Sequence, residues 1–293
     1  MVSVCILTLN EQRDLPGCLA AAAWSDDVVV FDSGSTDGTA AIARAAGARF
    51  FVRPFDNYAD QRNAALNQVP YRHEWVLMAD ADERWPAAIF EEIRSVLARP
   101  ESRGLCIGHF RRIDVVAGRR LRRSTGYPTW TGRLLRRGRV RIERRINEQY
   151  RTDGGKAFFR SHFVHYPLSK GVEHWIARHN RYSSMEAEAI ARRIDAGVPW
   201  RGLLSRDPTR RRRALKRLAY RMPCRPLLAF AYLYVLRLGL LDGRPGLMYC
   251  RMRAMYERMI DLKLREIRTE RGRAAESSNR PAPADLQDRC ESS

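Results

Sequence analysis

The chain has 293 residues, 45% of them hydrophobic, which suffices for one large domain or one domain with an appendage. Lys and Arg number 53 against 33 Asp and Glu, a net charge of +20, so an anionic partner is expected: nucleic acid, an anionic membrane surface or a phosphorylated substrate. Six scattered cysteines with no C-x-x-C pair argue against a zinc or disulfide framework and fit a reducing compartment.

Val2 to Leu9 is an apolar, partly β-branched run that reads as a core strand rather than a signal peptide, so the protein is expected to be cytosolic in exposure. Asp14 to Ala23, with Pro16 near its start, suits a helix, and Asp27 to Phe31 a second strand. The loop Asp32 to Thr39, "DSGSTDGT", follows, then a helix stopped by Gly47. That loop lacks the Gly-Lys-Ser of a Walker A motif and the G-x-G-x-x-G fingerprint. It reads as a nucleotide cradle, as a helix start capped by Ser35 or Thr36, or as both. Arg49 to Val52 is a third strand, Tyr58 to Val69 a helix and Trp75 to Met78 a fourth strand, an alternation that predicts a doubly wound parallel sheet.

The fourth strand runs straight into Asp80, Asp82 and Glu83. On extended chain Asp80 and Asp82 point to one side at the strand's carboxyl end, where open α/β sheets bind ligands. Two carboxylates about 6 Å apart repel by roughly 3 kcal/mol at an effective dielectric near 20, so something must offset them. Mg2+ or Mn2+ would do so, since these ions take one or two carboxylates plus substrate phosphates. The plainer alternative is a solvated acidic turn before a helix.

Together, "VSVCILTLNE", "VVVFDSGSTDGT" and "WVLMADADE" resemble the nucleotide-sugar-binding half of glycosyltransferase family 2, whose members have the GT-A fold. The "DSGSTD" wording, "HNRYSSMEAEA" (His179 to Ala189) and the stretch Leu233 to Glu257 are similar to the lipopolysaccharide-core β-glucosyltransferase subgroup. The resemblance implies an α/β, Rossmann-like, mostly parallel sheet flanked by helices, with a C-terminal amphipathic helical region. It implies that Thr8, Asn10 and Glu11 line the nucleotide pocket, that Asp32 contacts base or ribose, that Asp80 sits by the ribose or metal and that Asp82 binds the divalent ion. Ser33 stands where many members carry a second acid. Arg62 becomes a diphosphate candidate.

The family reaction is a single displacement at the anomeric carbon with inversion, and a carboxylate takes the acceptor's proton. Members of the subgroup carry a His-Glu step after "R-L-F-R". Here Arg133, Leu134, Leu135 and Arg136 precede Asn147 and Glu148, which makes Glu148 the candidate base. On its own Glu148 also reads as an exposed acid paired with a neighbouring arginine. His162 and His165 are too sparse for zinc and read as structural histidines, though the resemblance sets His165 near the leaving group.

Arginine recurs between Arg103 and Arg145, as a solvated face or as a means of neutralising an anionic acceptor. Gly171 to Ile190 has helical spacing, and Arg206 to Pro226 reads as an amphipathic helix with a cationic face suited to anionic lipid. The apolar run Leu227 to Leu241 falls short of the roughly 20 residues that span a bilayer and reads as a helix in or docked to the interface, with a re-entrant or spanning element as the alternative. Met248 to Ile267 continues helical, and the chain from Thr269 is expected to be disordered. These readings divide the chain into a GT-A catalytic domain (1–168), a basic, membrane-associating helical region (169–268) and a tail (269–293). The expected activity is metal-dependent transfer of a hexose, glucose favoured, from a UDP-sugar to a lipid-linked or lipopolysaccharide-core saccharide, on the inner face of the cytoplasmic membrane. A basic nucleic-acid-binding protein and a binding-only relative are the alternatives.

Overall fold

On strand β1 (Ser3–Thr8) Val4 and Ile6 enter one apolar cluster and Cys5 the other, so both faces of the sheet are covered. The computed structural model describes residues 1–143, 149–194 and 225–278, with isolated positions between 202 and 224. The chain divides into two compact units, Met1–His179 with Leu227–Ala254, and Asn180–Pro226 with Met255–Ser293.

In the first unit β1 lies between β2 (Val28–Asp32) and β4 (Trp75–Asp80), parallel to both, and β3 (Arg49–Val52) extends the parallel half beyond β2. Helices α1 (Leu15–Ala22) and α4 (Ala87–Leu97) bury Leu15, Cys18, Ile89 and Ile93 on one face. On the other face α3 (Tyr58–Gln68) buries Ala64, Ala65 and Leu66. Asn57 caps α3 by accepting from the Asp60 amide at 3.0 Å. The short helix α2 (Thr39–Ala45) ends before Gly47, the expected stop, whose φ of +71° is a left-handed conformation that glycine adopts freely.

The second half of the sheet is mixed. β5 is the two-residue strand Glu83–Arg84, and β6 (Leu105–Val116) makes a hairpin with β7 (Arg119–Leu121). β8 (Thr129–Arg136) pairs antiparallel with both β4 and β6, while the small strands β9 (Arg141–Glu143) and β10 (Gln149–Arg151) form a separate pair. β11 (Gly155–His165) runs parallel to β6 and carries β5 on its outer edge, His165 opposite Glu83. That register returns the end of β11 to the acidic stretch after β4. Gly108 on β6 keeps the sheet closed, because a Cβ there would lie 2.7 Å from Phe159. The irregular stretch of β11 is held by Glu92 of α4, which accepts from the amides of Arg160 and Ser161 at 2.6 and 2.8 Å.

Helix α5 (Gly171–Ile194) matches the helical spacing read from the sequence. The run Leu227 to Leu241 departs from the single helix expected there. Helix α6 (Arg225–Ala231) passes into a π turn over Tyr232–Leu236, Leu238 takes a left-handed φ of 58°, and a 3₁₀ turn over Gly239–Asp242 follows. Close packing imposes the break: a Cβ on Gly239 would lie 2.6 Å from the Leu233 carbonyl oxygen. Helix α7 then runs from Gly243 to Ser278, past the Thr269 point at which order was expected to end. The composition there is polar but still helix-favouring, and Arg271 donates to the Ala191 carbonyl at 3.3 Å.

In the second unit Lys263 of α7 donates to the Asn180 carbonyl and amide oxygens (both 2.6 Å) and to Ser183 and Ser184 on α5. Ala187, Ile190, Ile260 and Leu264 are buried there at helical spacing. The predicted amphipathic helix Arg206 to Pro226 lies outside the described residues except at isolated positions, as do residues 279–293 of the tail.

Candidate active site

The first wall of the site is built by the loops that leave β1 and β2. Asp32 ends β2, 1% exposed, with both carboxylate oxygens occupied. Oδ1 accepts from Thr8 Oγ1 (2.7 Å) and Ser35 Oγ (2.5 Å), and Oδ2 from the amides of Gly34 (2.9 Å) and Ser35 (2.7 Å). Asn10, at a φ of 55°, receives the Thr36 amide on its side-chain oxygen (2.9 Å), and its own amide donates to Ser35 Oγ (2.7 Å). Gln12 accepts from the Gly38 amide, and Asp37 from the Gln12 amide. Ser35 and Thr36 therefore lace two loops together instead of capping α2. Its N-cap is Gly38, with the Thr39 amide bound by Asp37 at 3.0 Å.

Glu11 is the strained member of this wall. Its Oε1 takes the Lys170 ammonium at 2.6 Å, while Oε2 is buried with no hydrogen-bond partner. Burial pushes its carboxyl up to about 7, against the pull of Lys170. Lys170 also donates to the Asn10 carbonyl at 2.7 Å, tying the segment after β11 to the loop after β1.

The second wall is the acidic stretch after β4. The chain turns after Asp80, so Asp80 and Asp82 meet different cations. Asp80 Oδ1 binds Arg62 Nη2 of α3 at 2.7 Å, and Oδ2 binds Arg133 Nη2 of β8 at 2.5 Å. Burial opposes its ionisation, but the Arg133 and Arg62 guanidiniums outweigh that and hold it well below the usual carboxylate range. The same Arg133 nitrogen binds Glu83 Oε1 at 2.5 Å, and Glu83 Oε2 accepts from the Asp80 amide. Glu83 is 1% exposed, and burial pushes it up to about 7 despite Arg133. Arginines thus offset much of the repulsion around Asp80 and Glu83. Arg62 is thereby occupied by Asp80.

Asp82 faces a different set. Its Oδ2 lies 3.5 Å from His165 Nε2 and 3.7 Å from Arg178 Nη1. Burial opposes ionisation, yet His165 above all keeps Asp82 below the usual range. His165 Nδ1 is 2.6 Å from Asp114 Oδ1, a buried carboxylate on β6 that also pairs with Arg112 at 3.0 Å. Burial disfavours the charged ring, but Asp82 and Asp114 outweigh it and lift its pKa to about 9.

No group of three or more His, Cys, Asp or Glu among the described residues could alone hold a metal ion. Asp82 and His165 fit a two-residue share of one where the ion displaces the Nε2 proton that Asp82 and Asp114 favour. A carboxylate oxygen and an imidazole nitrogen converge, and Asp114 fixes the ring from behind, as carboxylates do behind metal-bound histidines. The remaining positions would fall to a diphosphate and water, the way Mg2+ is commonly held; the imidazole favours Mn2+ of the two.

Thr8, Asn10, Glu11 and Asp32 thus share one wall, and Asp80, Arg62, Asp82 and His165 the other, while Glu148 lies outside the described residues. Sequence reasoning gave no site role to Arg133, Asp114, Arg178 or Lys170. Arg133 stood inside the "RLLR" stretch, which was a usable signal. Asp114, Arg178 and Lys170 come from remote positions that only the fold assembles.

Residues 3–166, more than half of the chain, match the family described as "Glycosyl transferase family 2". A lipopolysaccharide core biosynthesis glycosyltransferase, LpsC of Rhizobium meliloti, is 30% identical over 202 residues, covering 64% of this chain and 70% of that protein. A TPR repeat-containing protein of Synechococcus elongatus is 38% identical over 104 residues, 34% of this chain but only 25% of that protein. An uncharacterised glycosyltransferase of Rickettsia typhi is 33% identical over 98 residues, 33% of each chain. Among solved structures, glucosyl-3-phosphoglycerate synthase from Mycobacterium tuberculosis with Mg2+ and UDP is 20% identical at a TM-score of 0.35, covering 47% of this chain and 56% of that one. The same enzyme with Mn2+, UDP and glucosyl-3-phosphoglycerate is 21% identical at 0.32, over 39% and 44%. At these TM-scores the structural likeness carries no functional weight. The match over residues 3–166 and the agreement with LpsC establish that the chain belongs to glycosyl transferase family 2 and is a glycosyltransferase.

Proposed function

We propose that the enzyme transfers a hexose, glucose favoured, from a UDP-sugar to a lipid-linked or lipopolysaccharide-core saccharide at an anionic membrane surface, inverting the anomeric configuration with the help of a divalent cation. The convergence of Asp82 and His165 beside the laced β1 and β2 loops carries this reading. The similarity to LpsC supports the acceptor class.

The loop wall provides a preformed cradle. Asp32 fixes Thr8 and Ser35 at the edge of the cradle, beside the base or ribose. Glu11 offers its unpartnered Oε2 to a hydroxyl or N–H of the nucleoside. Arg62 and Arg133 hold Asp80, so the acid next to the diphosphate is already neutralised and leaves Asp82 as the available carboxylate. Arg178 stands at Asp82 as a further positive charge for the diphosphate. When bound by Asp82 and His165, Mg2+ or Mn2+ would offset the charge that gathers on the leaving diphosphate. Glu148 is the proposed base for the acceptor hydroxyl.

The test is a transfer assay with a panel of nucleotide sugars and core oligosaccharide acceptors, the product's anomeric configuration being read by NMR. The reading predicts an inverted hexoside from a UDP-sugar. A retained configuration, or no transfer from any sugar nucleotide to any saccharide, would overturn it.

A further inference from the structure

Within the first unit, the segment that replaces the expected helix presents an apolar face. Leu227 is 64% exposed, Val235 54%, Leu236 74% and Leu241 56%, and Tyr232 is also exposed. A soluble protein rarely leaves so many large apolar side chains in water without a use for them. Among the described residues no single helix is long and apolar enough to cross a membrane. The bent pair Arg225–Leu236 and Gly239–Arg273, turned by 73°, together meets the length and composition needed, and its exposed leucines beside arginines suit a face lying in the interface.

Beside that face is a cavity of about 420 Å³ lined by Arg122, Arg123, Tyr127, Leu236, Arg237 and Leu238. Three of the six are arginines and none is acidic. The pocket is braced from behind. Asp242, 5% exposed, accepts from the amides of Arg122 (3.1 Å), Arg123 (2.9 Å) and Ser124 (2.8 Å) and from Ser124 Oγ (2.7 Å). Asp242 is thus bound by the loop amides and the Ser124 hydroxyl rather than by the guanidiniums. Arg237 donates to the Tyr127 carbonyl at 3.1 Å, so the arginine inside the apolar run is fixed toward the loop. Arg122 and Arg123 have their backbones clamped and their side chains exposed.

We propose that this pocket binds the phosphate of an anionic phospholipid headgroup while Leu236, Leu241 and their neighbours enter the acyl boundary beside it. Charge complementarity selects the occupant: a cationic pocket set at the edge of an apolar face matches a lipid with an anionic head and apolar chains, which a free sugar phosphate does not. The proposal rests on the membrane part of the reading above and gives it a defined site, independent of the segment Arg206 to Pro226.

The experiment is flotation of the full chain with vesicles of phosphatidylcholine alone and vesicles in which phosphatidylglycerol replaces part of it. Each basic side chain near an anionic leaflet is worth a factor of about five in partition, so the Arg122→Gln/Arg123→Gln double variant is expected to bind the anionic vesicles about 25-fold more weakly. A Leu236→Trp variant is expected to be quenched by brominated acyl chains in those vesicles. Equal partition to both vesicle types, unchanged partition of the double variant, or an unquenched tryptophan would each overturn the proposal, as would binding of inorganic phosphate without vesicle partition. Circular dichroism checks that both variants fold, and a nucleotide-sugar titration on the same proteins keeps the two readings apart. Partition without nucleotide-sugar binding would support the headgroup site and count against the proposed UDP-sugar donor.

Discussion

His165 Nε2 lies 3.5 Å from Asp82 Oδ2, although the two residues are 83 positions apart and on different elements. The register of β5 on β11, with His165 opposite Glu83, creates that approach. Asp114 fixes the other ring nitrogen at 2.6 Å, so it should act as a positioning residue. Asp114→Asn is expected to weaken Mn2+ binding about 10- to 100-fold. Titration of Mn2+ followed by electron paramagnetic resonance reads this directly, and unchanged affinity would remove Asp114 from the site.

Arg133 places one nitrogen between Asp80 and Glu83, both at 2.5 Å. Replacing it with Gln leaves Asp80 with Arg62 alone and the buried Glu83 without a cation, and breaking such a buried pair costs about 3–5 kcal/mol. Urea unfolding of Arg133→Gln should show a loss of that order, whereas a loss below about 1 kcal/mol would mean that Arg62 and a proton on Glu83 suffice without Arg133.

Glu11 gives a pH signature. Its carboxyl titrates near 4.5 in the unfolded chain and near 7 in the folded one. Between those values the native state binds the extra proton, so Glu11 makes stability fall as pH rises through that window, with its full cost above pH 7. The shift corresponds to a cost on the order of 3 kcal/mol. Glu11→Gln should flatten this part of the stability profile, measured as urea midpoints across the window. An unaltered slope would place the titration elsewhere.

The sequence displayed the parallel half of this fold well, because β1, β2 and β4 are continuous apolar runs with helices between them. The acids after β4 and the loop "DSGSTDGT" were legible as a site for the same reason: each follows directly from a strand end. The charge balance was not legible. The repulsion between Asp80 and Asp82 pointed to a cation, and the fold adds Arg62 and Arg133, from α3 and β8, which neutralise Asp80. From the residues alone His165 read as a structural histidine, and only the resemblance set it near the leaving group, because Asp82 and Asp114 lie far from it along the chain. The broken segment after α6 was missed because the contacts of Gly239 with the Leu233 carbonyl are tertiary.

Glu148→Gln is expected to bind the sugar nucleotide as the parent does and to lose transfer by roughly 100- to 10,000-fold, the span of general-base contributions. Single-turnover transfer alongside donor titration separates the two steps. A normal transfer rate would move the base to another carboxylate.

Calorimetric titration of a UDP-sugar into the protein with and without Mn2+, repeated on Asp82→Asn, tests the core of the account most directly. The expected result is donor binding that is strengthened by Mn2+ in the parent and is indifferent to Mn2+ in the variant, whose circular dichroism is unchanged. An equal Mn2+ effect in both proteins, or none in either, would contradict the assignment of Asp82 and His165 as the place where cation and diphosphate meet.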